Sequence, residues 1–173
     1  MENNGIRNGL FMGGASILFS MILYFISPAS MFGGIAYLSI LIIAYFMYRA
    51  AVEDRAEMNG YISFGEAFKA SFLASVVGLL MSSLFMYILI TFIDPSLVDT
   101  IREATIESTK GITEAFGASE DALEDVIEQL EEQDFSPSLG NTLFQYLIQL
   151  IIPGALFSLI IALIVKKEDP AFT

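Results

Sequence analysis

Hydrophobic residues are gathered into long stretches that carry no charge, and the charged residues lie between these stretches. The uncharged stretches cover residues 8–48, 70–93 and 135–165. Ser27-Pro28-Ala29-Ser30 interrupts the first stretch and predicts a tight turn. Since a membrane span needs about 20 predominantly apolar residues, the pattern predicts four spans. They cover residues 9–26, 31–48, 70–92 and 143–165.

A cleaved signal peptide is the alternative interpretation of the first stretch, because Arg7 precedes an apolar run and small residues stand before Ser30. The run is long for the apolar region of such a peptide, and Pro28 lies inside the would-be cleavage site. We therefore expect a span at this position.

The polar segment at residues 94–142 carries a helical pattern of its own. Asp94 and the proline after it are typical of a helix start. Apolar residues then recur at helical spacing as far as Phe116, and Gly117 is typical of a helix end. Ser119 is placed to cap a second helix. The predicted fold class is all-α, with four transmembrane helices and an external amphipathic helical hairpin between spans three and four.

The positions of Lys and Arg predict the orientation of the spans. Six of these residues lie before span one, in a loop at residues 49–69, or after span four, whereas only Arg102 and Lys110 lie in residues 94–142 beside thirteen acidic residues. Both termini are therefore predicted to be cytoplasmic, in the cell (inner) membrane. The predicted organisation is spans one to three with the cytoplasmic loop (1–93), an acidic extracytoplasmic hairpin (94–142), and span four with a cytoplasmic tail (143–173).

Composition narrows the possible chemistry. The chain is 55% hydrophobic, with a mean hydropathy of +0.65. It has no cysteine, which excludes disulfides and thiolate chemistry, and no histidine, the commonest metal ligand and general base. A net charge of −12 argues against nucleic acid as a partner. We expect no catalytic residues, no metal and no cofactor.

Span four contains the strongest candidate for a polar pocket. Asn141, Gln145 and Gln149 recur every four residues, so they share one helical face. Amides are costly against lipid tails, and they should face protein or water. Pro153 removes the hydrogen bond to the carbonyl of Gln149 and favours a kink. Hydrogen bonding between helices, within the bundle or across an oligomer, is the interpretation that we favour over a pocket, so we expect these amides to face protein.

Two features of span three are interpreted as structural. Ser63 and Glu66 form the S-x-x-E pattern of a capping box, and Lys69 is placed to extend its ammonium to the lipid headgroups. Further along the span, small residues share one face, which predicts a helix-packing seam rather than a hydroxyl-lined pathway. The seam consists of Ser71, Ser75, Gly78 and Ser82, and Gly9 and Gly13 form a small-xxx-small pattern in span one.

The sequences ISFGEAFK at residues 62–69 and IDPS at residues 93–96 resemble those of an uncharacterised bacterial family of small four-span membrane proteins, known as a domain of unknown function. The resemblance extends over nearly the whole chain. It implies a multi-pass membrane protein and brings no activity, substrate or catalytic residue.

Three classes of function remain open. The first is a non-enzymatic scaffold or accessory subunit whose partners are the bilayer and either further copies of the chain or another membrane protein. The second is a small oligomeric channel or transporter that uses the polar stripe of span four. The third is a membrane-interface enzyme acting on lipid, for which the acidic residues near residues 53–66 specify no reaction. We favour the first.

Overall fold

Four long helices dominate the computed structural model, which describes residues 3–117 and 120–167. Each has the length and apolar composition to cross a membrane: Asn4–Ile26, Gly34–Glu57, Phe64–Ile93 and Leu139–Val165. Within the described residues every regular element is helical, and Ile62 and Lys167 add one isolated bridge pair. The prediction of an all-helical chain with four candidate spans is confirmed.

The first span is helix α1 (Asn4–Ile26), which Asn3 caps by accepting from the N–H of Ile6. Two short 3-10 turns follow, because the proline and glycines of this segment interrupt regular helix. Helix α2 (Ser39–Glu57) then begins later than the predicted start at residue 31. It also continues past residue 48, so the predicted loop at 49–69 is reduced to the connector 58–63.

The third span is helix α3 (Phe64–Ile88), extended by a π-helical turn at Leu89–Ile93. The fourth is helix α6 (Leu139–Gln149), a π-helical turn at Leu150–Ala155, and helix α7 (Leu156–Val165). Between the third and fourth spans lie α4 (Leu97–Ala115) and α5 (Glu120–Glu132), which contact each other. Gly117 has φ +70°, as expected for the end of α4, whereas the predicted cap Ser119 lies outside the described residues.

Helix α3 is the centre of the bundle, because α1, α2, α6 and α7 all pack against it. The closest approach is to α1. A Cβ built on Gly9 would lie 2.7 Å from the Val77 Cβ and 2.8 Å from the Ala74 carbonyl oxygen. Gly5 and Gly13, one turn away on either side, meet α3 in the same way. This is the close backbone packing that small residues permit between membrane helices.

One end of the bundle, here called the tail end, joins the start of α1, the connector 58–63 and the end of α7. Ile62 and Lys167 exchange two backbone hydrogen bonds of 2.9 Å, and the Arg55 guanidinium donates to the Val165 carbonyl at 3.2 Å. Asn4 donates to Asp54 at 2.9 Å. The chain start, the connector and the end of span four therefore share one end.

The opposite end, here called the turn end, holds the turn between α1 and α2 and the start of α4. Leu97 is fully buried there beside Leu23, Met31 and Leu89. The Tyr24 hydroxyl donates to the Asp94 carboxylate at 2.9 Å. Hydrogen bonds from Ser96 and then from Tyr24 hold the pKa of Asp94 below its ordinary value. The segment α4–α5 is therefore anchored at the end away from the chain start.

Candidate functional site

A cleft of about 740 Å³ lies between α3 and α6 in the half of the bundle nearest the turn end. Asn141, Gln145 and Gln149, the three amides of the predicted polar stripe, all line it. Their side chains are exposed, and within the described part of the chain they have no hydrogen-bond partner. The stripe therefore faces a cleft and is not packed against a neighbouring helix of the chain.

One contact within α6 and one contact with α3 fix the orientation of α6. Ser138 caps the helix by accepting from the N–H of Asn141 at 3.1 Å. Tyr146 is buried against α3, and its hydroxyl donates to the Val76 carbonyl at 3.1 Å. Because Gln145 and Gln149 neighbour Tyr146 on the helical surface, they lie along the edge of the α3–α6 contact. The amides are thereby turned into the groove between the two helices.

Pro153 lies in the π-helical turn between α6 and α7 and does not line the cleft. In a π-helical turn the N–H of each residue is placed to bond to the carbonyl five residues earlier. The N–H of Gly154 is therefore in register with the Gln149 carbonyl, which Pro153 cannot serve because it has no N–H. The predicted irregularity takes this form. Above the turn α6 packs against α3, and below it α7 packs against both α2 and α3. Span four therefore has a closed lower half and a more open upper half.

The wall opposite α6 comes from α3, with Ser82, Ser83 and Tyr87 among its polar residues. Ser82 donates its hydroxyl hydrogen to the Gly78 carbonyl at 3.0 Å. On the α4 side, Thr105 donates to the Ile101 carbonyl at 2.7 Å. Both hydroxyls therefore keep their oxygen lone pairs available as acceptors for a ligand.

The roof of the cleft is built from α4 and the connector 133–138. The Arg102 guanidinium lies 5.7 Å from the ring centroid of Phe135, within the range of a cation–π contact. Phe135 in turn lines the cleft. Asp134 is the one charged side chain among the described residues that line it. The site is thus almost wholly neutral, with amides and hydroxyls as its polar groups.

The floor of the cleft is closed by tight packing between α3 and the π-helical turn. Ser82 and Gln149 are the lining residues of α3 and α6 that lie furthest from the turn end. Below them, a Cβ built on Gly154 would lie 3.1 Å from the Ser75 hydroxyl oxygen. The cleft is therefore a pocket that ends within the bundle.

Gly78 of the predicted seam packs against α1, whereas Ser75 lies beside the π-helical turn of span four and Ser82 lines the cleft. Gly78 meets α1, where a Cβ would lie 2.9 Å from the Gly9 carbonyl oxygen. Ser71 and Ser75 are fully buried and donate to the carbonyls of Ala67 and Phe72. These hydroxyls are satisfied by their own helix, which lets them lie at a helix contact without a further polar partner.

Ser63, Glu66 and Lys69 lie at the tail end, away from the cleft. Ser63 accepts from the N–H of Glu66, and the Glu66 carboxylate accepts from the Ser63 N–H at 3.0 Å and from its hydroxyl at 2.7 Å. This is a complete capping box. Lys69 is exposed one turn further along α3. The geometry is that of a helix start, where a cap contributes about 0.5–2 kcal/mol.

A polar network between α1 and α2 was missed in the sequence. Asn8 is fully buried and donates to the Glu53 carboxylate, which also accepts from Arg7 at 2.9 Å and Arg49 at 2.8 Å. Asn4 is buried one turn earlier. The available signal was the four-residue spacing of Asn4 and Asn8 at the start of an apolar helix, together with Arg49 four residues before Glu53.

Among the residues that the structure describes, no group of three His, Cys, Asp or Glu side chains is placed to hold a metal ion. A family model described as "Protein of unknown function (DUF4199)" matches residues 7–167 of the chain. No curated protein and no solved structure matches it.

Proposed function

The chain belongs to the DUF4199 family of proteins of unknown function, and from that premise we propose that it is a non-enzymatic accessory subunit of another membrane protein. In this role the four spans hold the chain in the bilayer, and α4–α5 is the surface that the partner contacts. The partner is a protein with an apolar patch surrounded by basic residues.

The observation that carries the proposal is the exposed apolar pair at the end of α4. Ile112 is 59% exposed and Phe116 is 87% exposed, and they lie one turn apart. Exposed aromatic residues at a surface with surrounding polar groups are typical of protein contacts. A partner that covered this pair would remove apolar area from water and would gain a hot-spot contact at Phe116.

The charge of the segment supports a basic partner. Residues 94–142 contain thirteen acidic residues and only Arg102 and Lys110 as basic ones. Complementary charge increases the rate of encounter and suppresses wrong partners. The apolar pair would then supply affinity, and the acidic residues around it would supply selectivity.

The proposed location is the cell (inner) membrane, with both termini cytoplasmic and α4–α5 on the extracytoplasmic side. The six basic residues outside residues 94–142 support this orientation. The common position of the chain start, the connector 58–63 and the end of α7 at the tail end supports a shared side for all three.

Site-specific photo-crosslinking tests the accessory role. A photoreactive phenylalanine derivative at Phe116 is expected to give one discrete protein adduct in intact membranes, and the yield should fall as ionic strength rises. The same derivative at Glu107, exposed on the opposite face of α4, is the control and should give little of this adduct. Adducts with lipid alone, or only with a second copy of the chain, would contradict the proposal.

The amide-lined cleft favours transport of a small polar solute as a second candidate function. Neutral amides and hydroxyls suit an uncharged solute, but the floor at Ser75 and Gly154 would have to open. Solute uptake by proteoliposomes, with the double substitution Gln145→Leu and Gln149→Leu as the comparison, distinguishes this function from the accessory role.

A further inference from the structure

The amide stripe of the cleft lies within the fourth candidate span, Leu139–Val165, and is not used by the chain itself. From Asn141 to Gln149 the stripe extends about 12 Å along α6 at 1.5 Å per residue. Each side-chain amide offers two donors and one acceptor, and within the described residues none of these three amides is paired. Polar groups in a membrane span that lack a partner cost free energy, so an occupant that forms hydrogen bonds with these amides is favoured.

The chemistry of the lining selects an uncharged occupant. An ion would leave its hydration shell for a site whose only charged lining residue, among those described, is Asp134 at the roof. Ions and charged headgroups are normally held by ionisable partners. Amide donors, amide acceptors and the free lone pairs of Ser82 and Thr105 instead match a group that carries several hydroxyls or amides.

The shape of the cleft points to an occupant that comes from the bilayer. Its described lining comes from α3 and the π-helical turn that extends it, α4, α6, the connector 133–138 and Phe32, and neither α1 nor α2 contributes to it. Beside the amides, Phe144 lines the cleft and is exposed on the outer surface of α6. An acyl chain could leave the cleft along this apolar surface while its headgroup stayed against the amides.

We infer that the cleft binds an amphiphile with an uncharged, hydroxyl-rich or amide-rich headgroup. The volume of about 740 Å³ is in the range of sites that hold a small molecule or a lipid headgroup with part of its chain. The amides of Gln145 and Gln149 bind the headgroup, and the rings of Phe32, Tyr87 and Phe144 contact its apolar parts. The inference is independent of the accessory role of α4–α5.

Fluorescence quenching in liposomes that contain only this protein tests the inference, because the chain has no tryptophan. The substitution Phe144→Trp places one indole at the mouth of the cleft. The probes are monoglucosyl diacylglycerol and phosphatidylglycerol, each with the same brominated acyl chains and used at matched mole fractions. The glucosyl lipid is expected to quench at an about five- to tenfold lower mole fraction, the preference that two amide hydrogen bonds provide in a membrane.

Adding Gln145→Leu and Gln149→Leu should abolish the preference, whereas Leu147→Met, on the outer surface of α6, should keep it. If methyl glucoside in excess removes the preference, a soluble solute is sufficient and the amphiphilic occupant is overturned; if the preference persists, the occupant is the lipid. Equal quenching by both lipids in the chain that keeps its glutamines, or no quenching by either, would overturn the inference whatever the stability of the double variant.

Discussion

Replacing Gly9 by alanine is expected to destabilise the bundle by about 1–3 kcal/mol, the usual cost of overpacking. The new Cβ would meet the Cβ of Val77 at 2.7 Å and the Ala74 carbonyl oxygen at 2.8 Å. Neither atom is the far end of a flexible side chain, so the two helix backbones must separate. The measurement is the apparent unfolding temperature in a mild detergent, which should fall.

Gly14 provides the matched control on the same helix. A Cβ built there meets nothing within 4 Å, and alanine is better than glycine in a helix by about 1 kcal/mol. Gly14→Ala is therefore expected to be neutral or slightly stabilising. Equal unfolding temperatures for Gly9→Ala and Gly14→Ala would show that α1 and α3 do not approach as closely as described.

Replacing Glu53 by leucine is expected to cost about 2–3 kcal/mol. The carboxylate accepts from Asn8, Arg7 and Arg49, and its loss removes one acceptor from the buried Asn8 amide and from both guanidinium groups. Breaking a fully buried pair costs about 3–5 kcal/mol. The expected cost for Glu53→Leu is below this range because the Glu53 side chain keeps 23% of its surface exposed, and solvent screens its charge.

Two variants separate this network from a general effect of charge. Glu53→Gln keeps one acceptor oxygen and should lose less stability than Glu53→Leu. Glu103→Leu removes an exposed acidic residue of α4 and should leave the unfolding temperature nearly unchanged. The network would be of no consequence to stability if Glu53→Leu and Glu103→Leu behaved alike.

Local features of the fold could be predicted because few residues decide them. A long uncharged apolar run is sufficient to predict a span, and three such runs, the first divided by the turn at residues 27–30, correspond to the four candidate spans. The capping box depends only on Ser63 and Glu66, three residues apart. The common face of Asn141, Gln145 and Gln149 likewise follows from helical periodicity alone.

The boundaries of the helices were less predictable, because a charged residue marks the end of an apolar run but does not end a helix. Helix α2 continues to Glu57 since Arg49 and Glu53 pair along it and the alanines at positions 50 and 51 are buried. At the other end of the second span, the start of the predicted helix is a 3-10 turn, Gly34–Leu38, because glycines interrupt the apolar run there. Hydropathy alone does not distinguish these cases.

The cleft and the tail end depend on contacts between residues far apart in sequence. Ile62 pairs with Lys167, and Asn8 reaches Glu53, without any local pattern that links the partners. The amide stripe predicted a polar face, but the cleft exists because α6 packs against α3 above the π-helical turn while α7 packs against both α2 and α3 below it. Such an arrangement follows from the tertiary packing of four helices.

We propose that the tail end faces the cytoplasm and that α4–α5 lies outside. The chain has no native cysteine, and Ser108 on α4 and Ala56 near the end of α2 are both exposed. The decisive measurement is labelling of Ser108→Cys and, separately, Ala56→Cys in intact cells by a charged thiol reagent that cannot cross the membrane, with permeabilised cells as the control. Only Ser108→Cys is expected to be labelled in intact cells, and both variants after permeabilisation; labelling of Ala56→Cys in intact cells would show that this orientation is wrong.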